Sequence, residues 1–259
     1  MKTRLDQLLV YLGLAESRQK AQALLLAGRV LVDGQKVEKP GRLVSGESSI
    51  RLLGVLPFAS RAGAKLEAAL DHFGIEVSGR ICADLGASTG GFTDCLLQRG
   101  ARQVHAFDVG RGQLAWKLRT DSRVVVHDGF NVRNLSPDDL PEGVSVVTAD
   151  LSFISLKLVL GPLRDALLRR LGSAPDPERR AEVVLLVKPQ FEVGKGEVGK
   201  GGIVREPGKR MRALEAVIAH AEALGYRRVG WIPSPLAGAE GNVEFLLYLQ
   251  LCPDLSSQA

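Results

Sequence analysis

Apolar and polar positions follow two different rhythms along this chain. In the first segment Leu5, Leu8, Leu9 and Leu12 fall at i, i+3, i+4 and i+7, which lines one face of a short helix ending near Gly13. Ser17 is placed to cap a second helix whose stripe is Ala21, Leu24 and Leu25, and Gly28 is placed to end it. Two short strands, Arg29 to Val32 and Gln35 to Val37, then flank Asp33-Gly34, a dipeptide suited to a tight hairpin turn. Ala62 to Phe73 has helical composition, and from Ile81 onward the rhythm changes. Seven strand-like runs, at 81–85, 104–108, 123–128, 144–150, 183–189, 227–233 and 244–251, are separated by amphipathic helical stretches. Most are continuous apolar runs of the kind buried on both faces, so the pattern predicts an open α/β sheet behind a small α+β module. The predicted division is a first domain over 1–56, a linker over 57–61, a second domain over 62–253 and a tail over 254–259. Ser-Ala-Pro-Asp-Pro-Glu-Arg-Arg at 173–180 reads as an exposed loop, and no internal repeat is evident.

Charge sharpens this division. The 259 residues carry a formal net charge of +5, and residues 1–60 alone carry +4, so the excess sits in the first domain. A concentrated basic surface favours a polyanionic partner, because Lys and Arg displace counterions from phosphates. Arg18, Lys20, Arg29 and Lys36 either form one basic face or are solvated surface charges; this segment by itself allows both. Cys82, Cys95 and Cys252 lack both a full disulfide pairing and the paired spacing of a zinc site, so they read as reduced packing residues with no metal expected. Asp6 interrupts any leader-like apolar core, and no uncharged apolar window approaches the length of a membrane span. The expectation is a cytoplasmic protein without a membrane partner, and a monomer.

The chemistry concentrates at the carboxyl ends of the strands. Asp84-Leu-Gly86-Ala87-Ser88-Thr-Gly90-Gly91 follows a strand and opens a helix at Phe92. This is where a glycine-rich loop brings backbone N–H groups against a cofactor. Asp108, followed by Val109, ends the next strand where a carboxylate can accept both ribose hydroxyls of an adenosine ligand. Asp128, followed by Gly129, either meets the adenine amino group or forms a turn. The glycine spacing departs from the G-x-G-x-x-G of nicotinamide enzymes, and an acid two residues ahead of it suits a cationic ligand such as S-adenosylmethionine (SAM). Gly194 to Lys200 matches a phosphate-binding loop up to its eighth position, where Gly201 replaces the Ser or Thr that would hold magnesium. Lys195, Lys200 and Arg205 then sit on a mobile glycine-rich loop that either touches RNA backbone or is plain surface. Arg4 and Arg61 complete the candidate RNA-binding set.

Lys65, Asp150, Lys188 and Glu244 stand at element ends that a doubly wound sheet brings to one crevice. The first segment, with its SRxxAxxLxxxGxVxVDG pattern, resembles the S4-type RNA-binding domain. SRxGxKL, DxGASTGGFTDxLL, DVGxGQLAWxLR, ADLSFISL, LVKPQFEVGKGxVGxGG and SPLxGxxGNVEF resemble the TlyA family of rRNA cytidine 2′-O-methyltransferases, historically labelled haemolysins. The family's methyltransferase domain is similar to the FtsJ-type fold. The resemblance implies a Rossmann-like SAM-dependent methyltransferase sheet, ribosomal subunits as partners, and a Lys-Asp-Lys-Glu tetrad carried over as Lys65, Asp150, Lys188 and Glu244. Ala62 departs from a glycine of the family motif and leaves Lys65 in place.

A ribose hydroxyl is a poor nucleophile, whereas the SAM methyl is already activated, so alignment and proton removal remain to be supplied. Acting as a base near pH 7 requires a lysine pKa brought down from about 10.4, a bias of about 4 kcal/mol. Lys65 and burial push Lys188 that way and Asp150 opposes, so base and electrostatic stabiliser of the alkoxide both stand. Asp150-Leu-Ser-Phe153 lacks the Pro-Pro-aromatic run of amino-group methylation, and none of the cysteines is placed for base-carbon methylation. Phe153 either stacks a flipped base or, as the favoured reading, packs. The alternative functions are a non-catalytic SAM-binding assembly factor on RNA and a membrane-lytic protein, the latter disfavoured by the missing span.

Overall fold

The computed structural model describes residues 2–15, 17–53, 57–171, 180–194, 196–199 and 201–253. The chain divides into two compact units, Met1–Leu56 and Pro57–Ala259.

The first unit contains β1 (Lys2–Arg4), α1 (Leu5–Tyr11), α2 (Arg18–Leu26), β2 (Val30–Val32), β3 (Gln35–Lys36), β4 (Leu43–Ser45) and β5 (Ile50–Leu52). Leu5, Leu8 and Leu9 pack on Ala21, Leu25, Val30 and Val32, so the helical stripe predicted from spacing builds the core; Leu12 lies past the helix end and is exposed. Ser17 caps α2 by accepting from the Lys20 amide at 3.3 Å. Asp33 and Gly34 both take positive φ, 51° and 80°, the combination of a type I′ hairpin. The unpredicted strands are β1 with its antiparallel partner β4, and β5 beside β2. Each has only three residues, too few for an alternation to declare itself.

The second unit starts before its first helix. Phe58 is buried in the same cluster as Leu66, Ala69 and Phe92, Ala59 N–H donates to Asp94 Oδ2 at 2.7 Å, and Gln98 donates to the Pro57 carbonyl at 2.9 Å. The expected linker over 57–61 is thus fixed to this unit by one aromatic anchor and two hydrogen bonds. The elements that follow are α3 (Ala62–Phe73), β6 (Ile81–Leu85), α4 (Gly91–Gln98), β7 (Gln103–Asp108), α5 (Trp116–Arg119), β8 (Val124–Asp128), β9 (Val144–Ala149), α6 (Lys157–Leu171), β10 (Ala181–Val187), α7 (Pro189–Glu192), α8 (Pro207–Ala223), β11 (Arg227–Pro233) and β12 (Phe245–Leu251). The predicted loop at 173–180, apart from Arg180, and the tail at 254–259 lie outside the described residues.

All seven predicted strands join one sheet in the order β11-β12-β10-β9-β6-β7-β8. β10, β9, β6, β7 and β8 are parallel neighbours, while β12 runs antiparallel to both β10 and β11. One face packs on α6 and α8 through Leu160, Leu163, Leu214 and Val217; the other packs on α3 and α4 through Leu66, Leu70, Phe92 and Leu96. The expectation of strands buried on both faces holds for β6, β10 and β12 and fails for β11, an edge strand with exposed or half-buried residues. The chain leaves β6 toward β7 on one side, while β9 adjoins it on the other. The resulting switch point is where doubly wound sheets open a crevice.

A pair of histidines sits inside this sheet. His105 Nδ1 lies 3.1 Å from His127 Nε2, and the His127 ring stacks on Phe107 at 4.1 Å. Burial, with the neighbouring His127, pushes the His105 pKa down to about 4. The unfolded chain then binds more protons than the folded one between about pH 6.5 and pH 4, so this group destabilises the fold as pH falls through that window. The buried Asp84, raised to about 7, works in the opposite direction. The expected result is therefore a difference: His105→Gln flattens the loss of urea midpoint between pH 7 and pH 5 relative to the natural chain, by an effect on the order of 1–2 kcal/mol. Parallel pH profiles for the two proteins would refute it.

Candidate active site

The glycine-rich loop between β6 and α4 is shaped by close approach. A side chain at Gly86, where φ is +82°, would come within 2.7 Å of the Asp150 carbonyl. The loop can therefore lie against the end of β9 only with glycine there. Gly86, Ala87, Ser88, Gly91 and Phe92 line a small cavity of about 80 Å³ that also touches Asp150, while Gly90 packs against Leu114 and Leu118. Beside it, a cavity of about 500 Å³ opens between Gly86, Ser88, Asp108, Val109, Phe130 and the 150–154 segment.

Asp108 fits the role the sequence suggests. Its Oδ2 accepts from Ser88 N–H and its Oδ1 from Gly110 N–H, both at 2.7 Å, which leaves lone pairs on both oxygens for a pair of ribose hydroxyls. Exposed Val109 and half-buried Phe130 offer apolar walls for a purine. These residues fit SAM: apolar contacts for the base, a prepared carboxylate for its ribose, and a backbone cradle alongside.

Two of the predicted acids sit elsewhere. Asp84 is fully buried beneath the loop, where it accepts from Thr93 Oγ1 at 2.7 Å and Thr148 Oγ1 at 3.1 Å; burial pushes its pKa up to about 7. It braces the loop from below instead of topping the crevice. Asp128 pairs with Arg119, which holds its carboxyl below the usual range, and it also accepts from Gly112 N–H. Asp128 thus secures the turn carrying Gln113, and Gly129 lies against the Arg111 side chain. Asp84 stands just ahead of the glycine-rich loop and Asp128 ends β8, but position near a strand end does not say which way a side chain faces.

Lys65, Asp150, Lys188 and Glu244 form two ion pairs. The Lys65 ammonium is paired with Glu244 Oε2, with both side chains buried. Lys188 Nζ lies 2.6 Å from Asp150 Oδ1 and donates to Ser152 Oγ at 2.9 Å. The antiparallel register pairs Val187 with Phe245, so one step further sets Lys188 opposite Glu244. Asp150 is common to the Lys188 pair and to the wall of the 500 Å³ crevice. Lys65 and Arg61 border a depression of about 210 Å³ that shares Ser60 and Ala62 with the small loop cavity.

Phe153 overturns the packing expectation: it is 90% exposed with φ of +62°, and its ring lies 5.1 Å from that of Phe191. Sequence reading missed Gln113, Phe130, Asn131 and Ser152 at the crevice, although Gln113 and Ser152 lie inside the recognised motifs. Another cavity, of about 900 Å³, lies at the opposite strand ends, where Arg80 and Arg180 pair with Glu182 and the lining Arg169 and Arg170 pair with Asp138; it is remote from the tetrad.

Among the basic candidates, Arg4 and Arg18 are both tied to buried Asp6, at 3.0 and 2.9 Å, and Lys36 pairs with Glu38. Lys20, Arg29, Arg61 and Arg205 are exposed, while Lys195 and Lys200 lie outside the described residues. The glycine-rich loop is anchored at its far end, unlike the mobile loop expected: Asn242 accepts from Val204 N–H and donates to the Gly202 carbonyl. Cys82 and Cys95 are buried with thiols pushed up to about 12, which suits packing and not nucleophilic chemistry. Among the described residues no cluster could hold a metal ion, and no helix is long and apolar enough to cross a membrane.

Comparison with known proteins places this geometry. Residues 58–251 match the FtsJ-like methyltransferase family, and residues 3–50 match the S4 domain. The 16S/23S rRNA (cytidine-2′-O)-methyltransferase TlyA of Mycobacterium tuberculosis is 48% identical over 260 residues, covering 100% of this chain and 93% of its own. Hemolysin A of Brachyspira hyodysenteriae is 41% identical, covering 95% and 98%. A solved structure from Streptococcus thermophilus that carries the hemolysin name superposes with a TM-score of 0.69 at 42% identity, covering 97% of this chain and 89% of that one. A Rossmann-like sheet, a crevice fitted to SAM and full-length similarity all agree: this chain belongs to the FtsJ-like family of SAM-dependent methyltransferases, in its TlyA group, with an S4 domain at its amino-terminal side.

Proposed function

We propose that this enzyme methylates the ribose 2′-hydroxyl of a cytidine in ribosomal RNA, of the 16S, the 23S or both, with the S4 domain docking on RNA. It does so as a cytoplasmic monomer on ribosomal subunits. The observation that carries the reading is Asp150, which both walls the cofactor crevice and pairs with Lys188, so a sugar oxygen reaching the lysine stands beside the cofactor. The names of the relatives supply rRNA cytidine as the substrate class.

Bound SAM supplies a methyl group already activated by its sulfonium. Lys188 donates one N–H to Ser152 Oγ and stands as an ion pair 2.6 Å from Asp150 Oδ1, which leaves it able to meet the ribose oxygen and orient it, either taking the hydroxyl proton itself or stabilising the charge on the oxygen as that proton passes to water. Glu244 neutralises Lys65 beside that pair and keeps the quartet of charges balanced. Phe153, exposed next to Phe191, offers its face to the base of a nucleotide turned out of its helix.

Ribosomal subunits incubated with methyl-labelled SAM and the purified protein should acquire label at a position whose neighbouring phosphodiester resists alkali, because the 2′-oxygen can no longer attack. A SAM-binding assembly factor without catalysis predicts RNA binding and no label.

A further inference from the structure

We propose that Glu192 is a positioning residue for the Lys188–Asp150 pair, a clasp that locks the loop after β9 to the turn after β10. The inference rests on the catalytic reading of Lys188 given above. The parallel ladder between these strands pairs its last residues at Leu185 and Ala149, so Lys188 and Asp150 both lie beyond it. Asp150 is still held, because its amide donates to the Leu85 carbonyl at 3.0 Å. Lys188 has no such ladder bond. It is the N-terminal flank of the one-turn helix α7, which Glu192 ends.

Glu192 is 9% exposed, and both of its oxygens are used across the junction. Ser155 Oγ donates to Oε2 at 2.6 Å and Leu156 N–H donates to Oε1 at 2.7 Å. The same junction carries the Phe153–Phe191 ring contact, and Lys188 Nζ stands 6.0 Å from the Phe191 ring centroid. The segment from Asp150 to Leu156 and the segment from Lys188 to Glu192 are therefore tied at both ends, by the ion pair at one and by Glu192 at the other. A carboxylate buried against a hydroxyl and an amide makes charge-assisted hydrogen bonds, stronger than neutral ones, and two of them across one junction hold a short loop in one arrangement. Without that second tie the ammonium keeps its partner Asp150 but loses its fixed direction toward the substrate oxygen.

Methyl transfer to ribosomal subunits is measured for the full-length natural protein, Glu192→Ala, Glu192→Gln and Lys188→Ala, together with SAM affinity by calorimetry. Glu192→Ala should lower kcat by about 10–100-fold with the KM for subunits and the Kd for SAM unchanged. Glu192→Gln should recover to within about threefold, because its amide oxygen still accepts from Leu156 and its NH2 can donate to Ser155 Oγ. If Glu192→Ala fails to fold, Ser155→Ala, which breaks one of the two bonds, should lower kcat severalfold in the same way. Full kcat in Glu192→Ala, or in Ser155→Ala where that variant stands in, beside an inactive Lys188→Ala overturns the clasp alone. Full activity in Lys188→Ala overturns the catalytic reading and the clasp with it.

Discussion

Lys188→Ala should abolish methyl transfer, by about 10³-fold or more, while SAM still binds within about threefold of the natural affinity. The two quantities separate because Lys188 does not itself line the 500 Å³ crevice; it adjoins that crevice only through Asp150 and Ser152, which do. Lys188→Arg divides the two roles open to the lysine. A guanidinium stays charged at any accessible pH, so it can stabilise a forming alkoxide and cannot act as a base. Residual transfer well above that of the alanine variant assigns Lys188 to electrostatic stabilisation, and transfer as low as alanine's assigns it to proton removal. Undiminished turnover in Lys188→Ala would sink the mechanism.

The Lys65–Glu244 pair should show the second large effect, and here stability and catalysis come apart. Glu244 is 2% exposed, so Lys65→Ala leaves a buried carboxylate without its cation, and losses from breaking such pairs run to about 3–5 kcal/mol. Replacing both members together, Lys65→Met with Glu244→Leu, removes the stranded charge and should return most of that stability, since apolar substitutes for buried ion pairs are often neutral or better. It should not return activity, because the charges flanking the Lys188 pair are then gone. Urea unfolding and methyl transfer measured on the same preparations test both halves. A double variant that is stable and active would reduce Lys65 and Glu244 to a packing role.

The sheet was legible because its central strands are continuous apolar runs that end in acids or lysines. β10 and β12 stand out from their flanks by composition alone. β11 differs because Arg-Arg-Val-Gly-Trp-Ile-Pro is apolar enough to suggest burial, yet among the described residues no strand pairs with its outer edge. Lys65 and Glu244 stand out by their place at element ends and by motif resemblance; their contact spans 179 residues of sequence separation and depends on a register that composition does not encode. Asp84 as a ligand, and Asp128 as ligand or turn former, are what strand-end spacing suggests, and the same spacing is silent about Glu192. Sequence gives the residue type at an element end but not whether its carboxylate meets a crevice, a threonine pair, an arginine or a neighbouring loop. Phe153 needed the backbone as well, since its left-handed conformation is what turns the ring outward.

The reversal of β12 ties manufacture of the protein to its chemistry. In a sheet of parallel strands only, a residue opening the final strand would sit at the far rim from the crevice. Running backwards between β10 and β11, β12 delivers Glu244 to the rim where Lys65 waits. A polypeptide interrupted between β10 and that glutamate has Lys65 without its partner carboxylate and a bare β10 edge. Such products should be prone to unfolding and, on the proposed mechanism, inactive toward RNA.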